Sequence, residues 1–98
     1  NHGFMRSPAG WTLAPAFDMN PSFKKEEHAL ALDSYSRQPD LEIVLSTAEY
    51  YRLDIGRAKE IITDVCKVVG NWKAHARKLG LTAQECLEAD HLFFSTYP

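Results

Sequence analysis

The distribution of proline constrains this chain more than any other feature. Pro8, Pro15, Pro21 and Pro39 all fall in the first forty residues, and only Pro98 lies beyond them. Proline removes a backbone donor and clashes with the preceding helical turn, so long helices are excluded from the first part and permitted in the second. The sequence therefore reads as two stretches: an irregular segment with short strands over residues 1–39, and a helical segment over 40–98. Together they form one domain or a piece of one, since the chain has 98 residues and domains usually run ~50–250.

In the first stretch, Gly3-Phe4-Met5-Arg6 and Trp11-Thr12-Leu13-Ala14 flank Ser7-Pro8-Ala9-Gly10. Proline presets φ and glycine accepts φ > 0, so the spacing predicts an antiparallel hairpin. Pro15 ends the second strand, residues 20–28 read as loop, and Ala29-Leu30-Ala31-Leu32 suits a short strand as well as a helical turn. In the second stretch, Asp40 and Asp54 are N-cap candidates. Leu41, Val44, Leu45, Ala48 and Tyr51 recur at helical spacing, predicting a helix over 41–52. Ile55, Ala58, Ile61, Ile62, Val65, Val68, Val69, Trp72, Ala76 and Leu79 predict a long helix over 55–79, with Gly70 as a bend or close contact and Gly80 as its stop. Thr82-Ala83-Gln84-Glu85 has capping-box spacing and opens a last helix over 83–94. The fold class is mainly α (α+β): a short antiparallel hairpin followed by a three-helix bundle.

Composition narrows the function classes. Eleven Lys and Arg against thirteen Asp and Glu give a formal charge of −2, which disfavours a strongly basic nucleic-acid binder. Cys66 and Cys86 form no C-x-x-C pair and read as reduced thiols in a cytoplasmic protein. No apolar run reaches membrane-span length and no signal peptide is visible. The first residue is Asn1 rather than Met, which reads as an excised fragment, a processed chain or a late-starting clone.

The candidate chemistry lies at the open end of the hairpin. Two arms of similar length return the chain to its start, placing Asn1 near Asp18. An amide oxygen and a carboxylate are hard donors of the kind Mg²⁺ selects. The bland alternative is a terminal residue beside a turn residue. Elsewhere, His2 follows Asn1 and reads as structural rather than reactive, His28, His75 and His91 are isolated, and Cys66 and His75 fall on roughly opposite helix faces. Lys24-Lys25-Glu26-Glu27 reads as a solvated loop, Ser34-Tyr35-Ser36 has no visible base, and Trp11 and Trp72 read as core.

The wording around that hairpin resembles the HipA-like kinase family, the serine/threonine kinases of bacterial toxin–antitoxin modules. The residues that carry it are Asn1-His2-Gly3-Phe4, Gly10-Trp11-Thr12-Leu13-Ala14-Pro15-Ala16-Phe17-Asp18-Met19-Asn20-Pro21 and His28-Ala29-Leu30-Ala31-Leu32-Asp33. More loosely, it continues through Ala48-Glu49-Tyr50-Tyr51-Arg52-Leu53 and Trp72 to Leu79. The resemblance implies that the chain is the C-terminal part of such a kinase, a fragment of a protein-kinase-like C-terminal lobe. It implies that Asn1 is the catalytic-loop Asn and Asp18 the Asp that holds Mg²⁺ against the ATP phosphates. The catalytic-base Asp would precede Asn1, and no Gly-rich loop, strand lysine or helix glutamate partner is present. The resemblance thus implies an active parent, with Mg²⁺ and ATP as cofactors and a DNA-binding antitoxin and a protein substrate as partners. The fragment alone is expected to be inactive, to hold no bound cofactor and either to self-associate or to be marginally stable.

Two rival readings come from other classes. One is a helical interaction module without chemistry. The other takes Trp72 to Leu87 as a helix-turn-helix, but its second helix carries Glu85, Glu88 and Asp90 and no Lys or Arg, a poor match to phosphate.

Overall fold

The computed structural model describes residues 1–93. Strands β1 (Phe4–Ser7) and β2 (Gly10–Leu13) pair antiparallel with Phe4 opposite Leu13 and Ser7 opposite Gly10. Gly10 takes φ 124°, the freedom the turn requires of it. Cross-strand partners share a face, so Phe4, Arg6, Trp11 and Leu13 lie on one side of the hairpin and Met5 and Thr12 on the other. All eight strand residues are exposed, Trp11 at 69%. The expectation that Trp11 belongs to the core is therefore overturned: its ring stays largely exposed among the described residues.

Residues 14–40 contain no regular element. The tetrapeptide Ala29–Leu32, left open above between strand and helix, is neither; it lies in a loop closed by the His28 N–H on the Arg37 carbonyl (2.8 Å) and the Leu32 N–H on the Ser36 carbonyl (2.7 Å).

Helices begin where the prolines end. Helix α1 (Leu41–Ser46) opens on Asp40, whose carboxylate accepts the Glu42 N–H. It stops short of the predicted residue 52. The Ser46 and Thr47 hydroxyls turn back onto the Ile43 and Val44 carbonyls, both at 2.7 Å, and the chain tightens into a 3-10 turn over Ala48–Tyr51. Arg52, at φ 58°, ends that turn. Asp54 then caps α2 (Ile55–Val69) through the Arg57 N–H. The helix predicted over 55–79 is interrupted at Gly70–Asn71 and resumes as α3 (Trp72–Lys78). At the interruption the Asn71 N–H bonds the Val68 carbonyl three residues back. The stop at Gly80 is a Schellman motif: the Leu81 N–H reaches the Ala76 carbonyl and the Gly80 N–H the Arg77 carbonyl. Helix α4 (Ala83–Ala89) opens on the predicted capping box and passes into a 3-10 turn over Asp90–Leu92. The end predicted for this helix, residue 94, lies outside the described residues.

The core sits between α1, the 3-10 turn after it and α2. Leu45, Ala48, Ala58, Ile62 and Cys66 are buried there, with Leu41 and Leu53 packed against them. A smaller buried pair, Cys86 and Ala89, lies on α4. Lys73 on α3 reaches Asp90 at 2.6 Å, and Trp72 stacks on Phe93 at 4.3 Å. The radius of gyration is 15.9 Å, whereas a compact domain of this length measures about 13 Å.

Candidate functional site

The hairpin ladder continues past its strands. The Ala14 N–H donates to the Gly3 carbonyl at 2.8 Å, which carries the pairing to the open end. The Phe17 ring lies against Gly3; a Cβ there would sit 3.9 Å from it. One residue on, Asp18 adopts φ 50°. A short polar side chain is among the few that tolerate this left-handed conformation. It turns the Asp18 carbonyl toward the start of the chain, where Nδ2 of Asn1 donates to it at 2.9 Å across seventeen positions of sequence.

Asn1 and Asp18 are thus neighbours, joined through the amide of one and the main chain of the other. With Nδ2 committed to that carbonyl, Oδ1 is the acceptor left on the Asn1 amide. On the Asp18 carboxylate, Oδ1 accepts from Nδ2 of Asn20 at 2.9 Å. That bond fixes one carboxylate oxygen and leaves Oδ2 as a free donor atom. Asn20 was not singled out as a site residue from the sequence; its signal is the D-x-N spacing, two residues apart, at which an amide can return to a carboxylate.

The donor set is a carboxylate oxygen and an amide oxygen, both hard and both exposed. Mg²⁺ is ordinarily bound through one or two such protein ligands, with water and substrate phosphates completing its six positions. The residues present fit that ion. Among the described residues, no group of three or more His, Cys, Asp or Glu offers a closed metal cage.

The remaining candidates lie apart from this end. His2 makes an edge contact with the Phe4 ring at 6.4 Å. Glu27 is not simply solvated: it pairs with Arg37 at 3.1 Å and accepts from Gln38 at 2.7 Å, tying the loop shut. His91 meets Phe23 edge-on at 6.3 Å. Cys66 and Cys86 are free, buried thiols on different helices.

The molecule is an α+β chain with a polar site at the mouth of its hairpin and its helices downstream. Over residues 1–73 it matches the family model of the HipA-like C-terminal domain, and it belongs to that family. The matched region holds Asn1, Asp18 and Asn20 and runs through α1 and α2 into α3. Comparisons with curated proteins and with solved structures gave no match. No helix among the described residues is long and apolar enough to cross a membrane.

Proposed function

We propose that the chain is the C-terminal part of a HipA-like, ATP-dependent serine/threonine protein kinase, the toxin of a cytoplasmic toxin–antitoxin module. In this reading residues 1–39 carry the metal end and residues 40–98 the helical support. The observation that carries it is the hydrogen bond from Asn1 to Asp18, at 2.9 Å, inside the family match. Kinases hold their magnesium with an Asn and an Asp. When bound, the ion offsets the charge that develops on the transferring phosphoryl group. Asn1 presents its amide oxygen and Asp18 its carboxylate, and Asn20 holds one oxygen of that carboxylate. The groups that grip the nucleotide and take the substrate proton are supplied from elsewhere in the parent. The 98 residues alone therefore transfer no phosphate, because phosphoryl transfer depends on positioning by all the parts together.

The test is Asp18→Asn in the intact parent, with radiolabelled ATP and magnesium. The amide keeps the shape and removes one negative charge. Loss of phosphorylation with an unchanged circular dichroism spectrum is expected, and undiminished phosphorylation sinks the assignment.

One observation favours a second reading, an interaction module. Ile61, Val65 and Val68 form an exposed apolar stripe on α2, at 36%, 55% and 68% exposure. Under that reading the chain self-associates through this face, and the Asp18→Asn parent is unaffected.

A further inference from the structure

A groove of about 400 Å³ lies between the turn at residues 32–35 and the junction of α1 with its 3-10 turn. It is separate from the hairpin site and uses none of its residues. Its lining includes Asp33, Ser46, Thr47 and three tyrosines, Tyr35, Tyr50 and Tyr51.

Two of the hydroxyl protons in this groove are already committed, while those of Ser34 and the tyrosines can turn either way. The Ser46 hydroxyl donates to the Ile43 carbonyl and the Thr47 hydroxyl to the Val44 carbonyl, each at 2.7 Å. Each hydroxyl has a single proton, so both can offer a ligand only lone pairs. The Asp33 carboxylate accepts the Tyr35 N–H at 2.8 Å and the Ser36 N–H at 2.6 Å through Oδ1, which leaves Oδ2 as a further acceptor. Those two backbone donors also hold the carboxyl below the ordinary aspartate value, so it is ionised at neutral pH. No lysine, arginine or histidine lines the groove, and none of the ion pairs among the described residues involves Asp33. The tyrosines add π faces, whose negative quadrupole attracts cations.

A groove with one negative charge, no basic side chain, hydroxyls that can accept and three aromatic rings favours a ligand that is cationic, donor-rich and flat. Among side chains the guanidinium fits best, with five donors, no acceptor and a planar face that stacks on aromatic rings. We infer that this groove binds an arginine side chain presented by a protein partner. Tyr35, Tyr50 and Tyr51 are 95%, 79% and 71% exposed, so the side chain enters from a facing surface without displacing any buried group.

The experiment is a nitrogen-15 NMR titration of the full chain with acetyl-arginine amide and, separately, with acetyl-citrulline amide. Citrulline keeps the length and planarity and lacks the charge. Arginine is expected to shift the Tyr35, Ser36 and Thr47 amides saturably, with a dissociation constant in the millimolar range. Citrulline is expected to bind about tenfold more weakly or not at all, as loss of a charge-assisted hydrogen bond implies. Asp33→Asn keeps an oxygen for the two N–H groups and should weaken arginine by about tenfold. Tyr50→Phe keeps the ring face and should change binding by less than about twofold. Equal responses to arginine and citrulline, or no saturable response to arginine, overturn the inference; so does an Asp33→Asn chain that binds arginine as before. Should that variant fail to fold, the comparison of the two probes on the unsubstituted chain decides alone.

Discussion

Thr82 and Glu85 cap each other at the head of α4. The Thr82 hydroxyl accepts the Glu85 N–H at 3.2 Å, and the Glu85 carboxylate accepts the Thr82 N–H at 2.7 Å and its hydroxyl at 2.8 Å. The Thr82 backbone N–H, and after it the Thr82 hydroxyl, hold the Glu85 carboxyl below its ordinary value of 4.5. A lowered folded value means stability that is fully present above the ordinary value and is lost as pH falls through the lowered one. Glu85→Gln keeps an acceptor and removes the charge. Melting curves of the two chains should therefore differ near neutral pH and converge in strong acid. A difference that persists or grows in acid contradicts the capping account.

The core between α1 and α2 is small, so each of its members matters. Ile62 is 8% exposed and packs in the cluster that holds Leu45 and Cys66. Ile62→Ala should lower unfolding free energy by about 2–3 kcal/mol, from lost transfer energy and the cavity left behind. The exposed neighbour Val68→Ala should change it by less than about 0.5 kcal/mol. Urea denaturation separates the two, and equal effects would mean that the packing centre lies elsewhere.

Gly80 closes the Schellman motif at φ 96°, with nothing within 4 Å of where a Cβ would stand. Substitution there meets no steric contact, only backbone strain. Gly80→Ala should destabilise by about 1 kcal/mol, seen as a drop in Tm of about 4–8 °C. A neutral result would show that the helix end relaxes to another stop.

Asn20 touches the proposed metal only through Asp18, whose Oδ1 it holds at 2.9 Å. In the intact parent, Asn20→Ala should weaken Mn²⁺ binding, read by paramagnetic resonance, about 10-fold, the usual effect of losing a partner that orients a ligand. Asn20→Asp, which crowds a second negative charge against the first, should not restore the orienting bond. Unchanged Mn²⁺ affinity in Asn20→Ala would limit Asn20 to shaping the turn.

What was legible in the sequence was local. The hairpin followed from Ser7-Pro8-Ala9-Gly10, and three helix starts followed from Asp40, Asp54 and Thr82, each of which makes its cap bond. What escaped depended on competition between equals. Apolar spacing alone carried the first helix through Tyr51, but the Ser46 and Thr47 hydroxyls take carbonyls of the preceding turn and the ladder tightens. Gly70 reads as a bend or a close contact, yet periodicity cannot say that Gly70 ends one helix and Asn71 begins another. The apolar residues Ile61, Val65, Val68 and Leu79, whose spacing predicts the helix, remain exposed in it or at its end. A helix face can be apolar without its partner being present. At the site, hairpin arithmetic brought Asn1 to Asp18, but the contact runs through the Asp18 main chain, and nothing in the arithmetic pointed to Asn20.

The left-handed backbone at Asp18 has a consequence for any mutational survey of this end of the chain. At φ 50°, alanine is strained where aspartate and asparagine are tolerated. An alanine scan at this position would thus register two injuries as one: a lost carboxylate and a displaced carbonyl that frees Asn1. Asparagine removes the charge and keeps the side-chain shape, and glycine removes the whole side chain without straining the backbone. The pair of substitutions, rather than alanine, therefore separates ligand chemistry from chain geometry.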